Sequence, residues 1–232
     1  MTSPVSGRVR RQIAWAAVAV SAIGIAVFAA FPYLGGDPAQ SRIPLNDGVA
    51  YHYLSVVVHG MPACLVLFIG PFQFAAKLRA RNPKLHRVLG RVYVVSMIFA
   101  AVAALVAATF SVSGASVQFG FYLLTAAWLY TIFQGYRSIR AGQIQLHRIW
   151  MIRNYALSFA AVALRIFLAI GLALQGVWPS LPFHEIYNAS VWGSIAVCAV
   201  VAEYFIIHKT LAPLVRKRQR TAPAPEPAGV SG

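Results

Sequence analysis

Six long runs of apolar residues divide the chain, and short polar segments separate them. We place the runs near residues 13–34, 52–75, 88–111, 117–138, 149–175 and 188–210. Each can cross the hydrocarbon core of a bilayer, which is about 30 Å thick and needs about 20 helical residues. Because backbone groups in lipid must find partners inside their own segment, runs of this length predict helices. The pattern therefore predicts an all-α integral membrane protein with six transmembrane helices.

The segments on either side of this six-helix domain, residues 13–210, differ from it in composition. Residues 1–12 hold Arg8, Arg10 and Arg11, an arrangement that also occurs in signal peptides. The apolar run that follows is longer than the about 7–15 residues of a signal-peptide core, so we expect the first helix to be retained. Residues 211–232 are rich in proline and alanine, and we expect a disordered tail there.

A sequence repeat relates the second and third runs to the fourth and fifth. Residues 72–87 read FQFAAKLRARNPKLHR and residues 133–148 read FQGYRSIRAGQIQLHR, with seven of sixteen positions identical at an offset of 61. Each copy contains a helix end, a basic connection and the start of the next helix. Such a repeat indicates duplicated hairpins related by a pseudo-two-fold axis along the membrane normal. We therefore predict a six-helix bundle in which helices two to five form a four-helix core.

The composition and the distribution of charge support a membrane protein. The chain is 59% hydrophobic and 11% charged, whereas soluble domains carry about 25% charged residues. The net charge of +15 is typical of nucleic-acid-binding proteins too. Here, however, the basic residues lie in short connections between apolar runs, where they orient helices and meet anionic lipid headgroups. We expect a lipid bilayer and no nucleic acid as partner.

The positions of lysine and arginine also predict an orientation. With six spans, both termini lie on one side of the membrane, and 18 of the 20 Lys and Arg residues belong to that side. Arg42 lies on the other side, and Arg165 lies inside the fifth run. The positive-inside rule then predicts a protein of the plasma membrane with both termini in the cytoplasm.

Polar residues of the fifth run form one stripe. His147, Asn154, Ser158 and Arg165 are spaced seven, four and seven residues apart. At about 100° per residue they fall within about 20° of a common line, so they share a helix face about 27 Å long. Polar residues inside a bilayer usually face a bundle interior or a cavity. The stripe therefore predicts a polar seam inside the bundle.

Four further polar residues predict contacts between helices. Arg153, near the start of the fifth run, and Glu203, near the end of the sixth, lie at the same side of the membrane. We expect them to form an ion pair, because an unpaired charge there is costly. Gln73 and Gln134 occupy equivalent positions of the repeat, and we expect them to make hydrogen bonds between helices.

His86 and His147, which the repeat makes equivalent, are the best candidates for a cofactor site. Haem iron takes axial imidazoles, and a b-type haem needs them on different helices at one depth. Arg87 and Arg148 follow these histidines and suit haem propionates, which arginine binds through charge-assisted hydrogen bonds. The leading hypothesis is a haem b protein that passes electrons between a membrane quinol or a similar donor and an acceptor, with a quinone or another redox partner.

A second polar site is predicted in the outer half of the membrane. His59 is the one histidine well inside a run, and helix geometry puts Arg165 at a similar depth. We expect these two residues to share a site that binds a propionate or a quinone oxygen. His52 or His184 would be the partner of His59 if it held a second haem.

Other interpretations of these residues remain open. A Leu-His-Arg sequence at a helix start also serves as an interfacial anchor. Arg165 can instead bond to carbonyls of the second helix, which Pro62 and Pro71 kink. A cofactor-free transporter or lipid-binding protein would use a cavity between helices two and five, and a structural subunit of a membrane complex would need none. The sequence assigns no catalytic residue, enzyme activity or oligomeric state.

Several motifs carry a resemblance to a known family. They are Gly-Pro-Phe-Gln-Phe at residues 70–74, Leu-His-Arg-Val-Leu-Gly-Arg-Val-Tyr at 85–93 and His-Arg-Ile-Trp-Met-Ile-Arg-Asn-Tyr-Ala-Leu at 147–157. Over about residues 55–170 the chain resembles the bacterial membrane-protein family called domain of unknown function 2306. That resemblance implies a topology and no established activity. The six-helix layout with Leu-His at helix starts also resembles the cytochrome b561 and cytochrome b superfamily, whose members carry more histidines within their spans.

Overall fold

The structure is a computed structural model that describes residues 7–212. It contains seven α-helices: α1 (Gly7–Ala30), α2 (His52–Phe74), α3 (Ala76–Arg81), α4 (Pro83–Thr109), α5 (Ala115–Arg140), α6 (Ile144–Gln175) and α7 (Phe183–Phe205). Two short 3-10 helices follow α1, and a π-helical segment, Ile206–Leu211, continues α7. All helices except α3 belong to segments that are long and apolar enough to cross a membrane. The prediction of an all-α bundle with six spans is confirmed.

The third and fifth predicted spans correspond to α4 and α6, and both helices begin earlier than the apolar pattern indicates. They were placed at residues 88 and 149, whereas α4 begins at Pro83 and α6 at Ile144. Pro83 occupies the first helical position, where its missing N–H has no helical partner to lose. His86 and His147 therefore lie inside the first turns of α4 and α6. The short helix α3 was not predicted, and residues 213–232 of the predicted disordered tail lie outside the described residues.

The two repeated hairpins form the centre of the bundle. Helix α2 packs along α4, and α5 packs along α6, while α4 also contacts α5. Helix α1 flanks the first hairpin through α2, and α7 flanks the second through α6. We call the end with the α2–α4 and α5–α6 connections the basic end. The other end, with the connections at residues 31–51, 110–114 and 176–182, is the opposite end.

A close contact joins α2 to α6 in the core. The ring of Tyr155 packs against Gly70, where any side chain would overlap it. The Tyr155 hydroxyl donates a hydrogen bond of 3.1 Å to the carbonyl of Leu67. Four residues beyond Leu67 stands Pro71, which has no N–H and so cannot bond to that carbonyl. Tyr155 thus satisfies a polar group that the proline left without a helical partner, as a lipid environment requires.

The contact at Gly70 gives a test of the α2–α6 packing. Replacing Gly70→Ala should lower the melting temperature of the detergent-purified protein by several degrees, because overpacking a core costs about 1–3 kcal/mol. Gly60→Ala, in the same helix, is the matched control, since a Cβ there meets nothing within 4 Å. Equal melting temperatures for the two variants would contradict this packing.

Candidate functional site

One hydrogen bond joins equivalent positions of the two repeats at the centre of the bundle. The hydroxyl of Tyr93 on α4 donates to Oδ1 of Asn154 on α6 at 2.7 Å. The two residues are 61 positions apart, which is the offset of the repeat. Equivalent residues of two related units can touch only near the axis that relates them. This bond therefore marks the pseudo-two-fold axis and joins the second helices of the two hairpins.

Asn154 connects this axis to α5 as well. Its side chain is fully buried. Its Nδ2 donates to the carbonyl of Trp128 at 3.2 Å and to Oγ1 of Thr131 at 2.9 Å. The Ser158 hydroxyl, also buried, donates to the Asn154 backbone carbonyl. The interior position of this part of the predicted polar stripe is confirmed.

His147 is held in a defined orientation at the basic end. Its Nδ1 donates to the carbonyl of Gly135 on α5 at 2.8 Å. α5 and α6 approach closely here: a Cβ added to Gly135 would lie only 3.0 Å from Sδ of Met151. The bond fixes the imidazole tautomer and leaves Nε2 as the nitrogen with a lone pair. This is the arrangement that metal-binding histidines use to orient the ligating nitrogen.

His86 lies in a similar position on α4 but lacks that bond. The repeat places Phe74 where the second copy has Gly135, so the equivalent carbonyl belongs to Phe74. However, α2 ends there, and Ala75 turns the backbone to an extended conformation with φ −70° and ψ 103°. Nδ1 of His86 is buried and has no hydrogen-bond partner within residues 7–212.

The two histidines face the same region. His86 lies seven residues before Tyr93, and His147 lies seven residues before Asn154. This spacing is about 10 Å along a helix and keeps the two residues within about 20° of one helix face. His86 and His147 therefore lie at the same end of the bundle, on the helix faces that carry Tyr93 and Asn154. Their imidazoles lie within electrostatic range of each other, and Arg79 lies within range of His86. That the two imidazoles bind one ligand together stays a prediction.

Within residues 7–212, neither glutamine of the repeat makes the predicted side-chain hydrogen bond between helices. Gln73 reaches α4, where its Oε1 lies against Gly90. Its Nε2 is buried without a partner in the described part of the chain. Gln134 is half-buried on α5. α2 ends just after Gln73, whereas α5 continues beyond Gln134 to Arg140, so the two glutamines have different surroundings.

The ion pair predicted between α6 and α7 is present. Nε of Arg153 donates to Oε1 of Glu203 at 2.6 Å, and Nη2 donates to Oε2 at 3.0 Å. The guanidinium also lies over the ring of Trp150 at 4.7 Å. The two side chains are 29% and 45% exposed, so the pair lies at the bundle surface. It ties α7 to α6 and does not belong to the interior seam around Asn154.

His59 and Arg165, expected to share an outer site, have different neighbours. Nδ1 of His59 donates to the carbonyl of Ala100 on α4 at 2.9 Å. The imidazole stacks on Trp128 of α5, with 6.1 Å between ring centroids. Arg165 donates to the carbonyl of Ala161 in its own helix. The electrostatic neighbours of Arg165 include Cys64, which lies five residues, or about 140° around α2, from His59. Within residues 7–212 the two residues therefore have no hydrogen-bond partner in common.

At the interface between α2 and α6, where a cavity was expected, the ring of Tyr155 packs against Gly70. A cavity of about 560 Å³ lies instead between α4 and α5. Its walls are almost entirely apolar, and it opens toward the lipid-facing side of these helices. It is lined by Val94, Ile98, Leu129, Tyr130, Ile132, Phe133 and Tyr136.

Two residues of the central network, Tyr93 and Thr131, were missed from the sequence, as was Tyr155 of the contact between α2 and α6. The repeat carries a signal for Tyr93, because adding the offset of 61 to its number gives Asn154. That signal lies outside the sixteen-residue window of high identity. The signal for Tyr155 is Pro71, which frees a carbonyl that some donor must satisfy.

The fold and the central polar network define a multi-pass membrane protein built from two related hairpins. The chain matches the family model described as "Predicted membrane protein (DUF2306)" over residues 56–206. The chain belongs to this family, and the match extends beyond the region in which its motifs were recognised. No curated protein and no solved structure matches the chain. The likeness to cytochrome b561 proteins gains no support from these comparisons.

The Tyr93–Asn154 bond gives a test of the axis. Tyr93→Phe should destabilise the purified protein by about 1 kcal/mol, because Oδ1 of the buried Asn154 loses its donor. For a chain of this size the melting temperature should fall by about 2–4 °C. Tyr136→Phe, at an exposed tyrosine of α5, should leave it unchanged. A Tyr93→Phe variant as stable as the wild type would argue against this bond.

Proposed function

We propose that this membrane protein binds one b-type haem between α4 and α6 through His86 and His147 and carries electrons. The observation that supports this proposal is the bond between Tyr93 and Asn154. The bond marks the axis that relates the two repeats and their histidines. Each histidine lies about two turns before the bonded residue of its helix and on the same helix face. Two imidazoles on different helices at one depth are the donor set that a b-type haem takes.

The hydrogen bonds of the two imidazoles fit this role. The Gly135 carbonyl holds Nδ1–H of His147, so the other ring nitrogen is oriented for coordination. Nδ1 of His86 is buried and has no partner among the described residues. A histidine in that state is costly unless a ligand uses it. When bound, haem supplies one-electron redox chemistry at the iron.

The surrounding residues would bind and position the group. Arg87 and Arg148 follow the two histidines and are exposed at the basic end. Their guanidinium groups suit carboxylates such as propionates. The Tyr93–Asn154 bond sets the spacing of α4 and α6 next to the site. Arg165 is 18 residues, about 27 Å, beyond His147 and takes no part in this site.

A quinol in the membrane is the electron donor that we propose. The cavity between α4 and α5 supports this choice, since it is apolar and open to lipid. It is lined in part by Val94, which follows the axis residue Tyr93 on α4. A quinol that diffuses in the bilayer would reach the bundle there without passing through water.

Absorption spectroscopy tests the haem proposal. Protein purified in mild detergent from haem-replete cells should show a sharp α-band after reduction with dithionite. His86→Ala and His147→Ala should each lose most of that band, because each removes an axial ligand. Reduction by a short-chain quinol in place of dithionite would support the proposed donor.

His208→Ala is the matched control for the spectrum. His208 lies near the basic end on the segment after α7, is exposed, and contacts Tyr204. Its replacement should leave the α-band unchanged. A folded but colourless wild-type protein would remove the haem proposal, as would an α-band that survives in both axial-ligand variants.

We also propose that the basic end faces the cytoplasm and that the protein lies in the plasma membrane. The support is the distribution of lysine and arginine, of which all but Arg42 and Arg165 belong to the basic end or its flanking segments. Anionic headgroups of the cytoplasmic leaflet would then contact that end.

Cysteine labelling tests the orientation. In a Cys64→Ala, Cys198→Ala background, Asp47→Cys at the opposite end should react with a membrane-impermeant maleimide on intact spheroplasts. Lys84→Cys at the basic end should react only after permeabilisation. Both positions are exposed, so accessibility to the reagent depends on the side of the membrane. The reverse labelling pattern would invert the proposed topology.

A further inference from the structure

The cavity between α4 and α5 forms an apolar groove on the surface of the bundle, which we call the α4–α5 groove. Its volume is about 560 Å³. Four of its lining side chains, Ile98, Tyr130, Phe133 and Tyr136, are exposed in the part of the chain that the structure describes. Lipid acyl chains are as apolar as this lining, so one of them can fill the groove.

One wall of the groove is held in place by a row of side-chain contacts. The ring of Tyr130 packs edge-on against Trp150 of α6, with 5.4 Å between the ring centroids. The guanidinium of Arg153 lies over Trp150 at 4.7 Å and is paired with Glu203. Ile132, another lining residue, is buried. A groove that is shaped before its ligand arrives costs less ordering free energy on binding.

The two helix faces that line the groove continue into exposed arginines at the basic end. Each arginine lies seven residues closer to that end than a lining residue: Arg91 than Ile98, Arg137 than Tyr130, and Arg140 than Phe133. A spacing of seven is about 10 Å along a helix and keeps two residues within about 20° of one face. The groove therefore passes from an apolar lining to a positively charged edge.

The three arginines have no carboxylate partner in the described part of the chain. The one salt bridge of residues 7–212 joins Arg153 to Glu203. The other carboxylates in that range belong to the opposite end: Asp37, Asp47 and Glu185. Three positive charges at one edge of a groove attract an anionic group, and an anion bound there would reduce their mutual repulsion.

We infer that the α4–α5 groove binds one anionic phospholipid, with an acyl chain along the apolar lining and the phosphate at Arg91, Arg137 and Arg140. A phospholipid carries an acyl chain and a charged phosphate in the order in which the groove presents its lining and its arginines. Guanidinium groups match phosphate oxygens through paired, charge-assisted hydrogen bonds.

This site goes beyond the proposed function and does not rest on haem binding. The quinol that we propose to reach the bundle at the same groove carries no charge, so it would share the lining but make no ion pair with the arginines. A lipid and a quinol can therefore be told apart by their dependence on these three residues.

Native mass spectrometry of the full-length protein in dodecyl maltoside tests the site, because it counts bound lipids by mass. One arm adds palmitoyl-oleoyl phosphatidylglycerol, which is anionic. The other adds palmitoyl-oleoyl phosphatidylcholine, which has the same acyl chains but a choline that neutralises the phosphate. We expect one phosphatidylglycerol per chain to bind at concentrations at which phosphatidylcholine does not.

Variants assign the binding to the charged edge. Arg91→Gln, Arg137→Gln and Arg140→Gln should each weaken phosphatidylglycerol binding about five-fold, the factor that one basic residue near an anionic headgroup contributes. Arg81→Gln is the matched control, because it removes an exposed arginine of α3 at the basic end that lies outside the groove. It should bind the lipid like the wild type.

A second pair of variants assigns the binding to the apolar lining. Ile98→Trp should weaken phosphatidylglycerol binding, because the larger side chain fills the space of the acyl chain. Val95→Trp is the control, since Val95 is equally exposed on α4 but does not line the groove. All these positions are exposed, and equal melting temperatures would show that the variants are folded.

Several results would overturn the inference. Equal binding of the two lipids would remove the role of charge, and an equal loss in Arg81→Gln would assign it to the basic end as a whole. Unchanged binding in Ile98→Trp would exclude the groove. The measured mass also identifies other occupants, so a bound quinone in place of the lipid, or a lipid-free dimer of the chain, would contradict the site.

Discussion

The hydrogen bond between Tyr93 and Asn154 determines how the two halves of the bundle meet. A single interhelical bond in a membrane contributes only about 0.6 kcal/mol on average. Its importance is geometric, because Asn154 can serve Tyr93, Trp128 and Thr131 together in only one arrangement of α4, α5 and α6. Apolar side chains alone would allow these helices to slide or rotate, since lipid tails are as apolar as the helix surfaces. The network therefore specifies the register of the core.

Close packing of α2 on α6 depends on a second polar requirement. Pro71 leaves the Leu67 carbonyl without its helical donor, and Tyr155 supplies the missing hydrogen bond. The ring of Tyr155 can reach that carbonyl only because Gly70 has no side chain in its path. Proline, glycine and tyrosine thus act together in this contact. Replacing any one of them would change the environment of the other two.

The sequence was sufficient to predict features that lie within one helix or between repeated segments. Hydropathy located six spans, and the repeat identified two hairpins. The Arg153–Glu203 pair followed from matching depths and the cost of an unpaired charge. The sequence was not sufficient where the answer depends on which neighbour a side chain faces. His59 was assigned to Arg165 by depth alone, yet it faces Ala100 and Trp128 across α4 and α5. Helical periodicity gives the face of a residue but does not identify the helix that covers it.

Divergence between the repeats explains why the two histidines differ. In the second copy, Gly135 lets α5 approach α6, and its carbonyl holds His147. In the first copy, Phe74 replaces that glycine, and α2 breaks at Ala75 before it can present the equivalent carbonyl. A duplicated hairpin could have kept both bonds, but this chain fixes one imidazole and leaves the other with a buried nitrogen unsatisfied in the described structure. A buried polar nitrogen without a partner is destabilising for folding alone. The replacement of glycine by Phe74 and the break in α2 therefore account for the different surroundings of two histidines that the repeat makes equivalent.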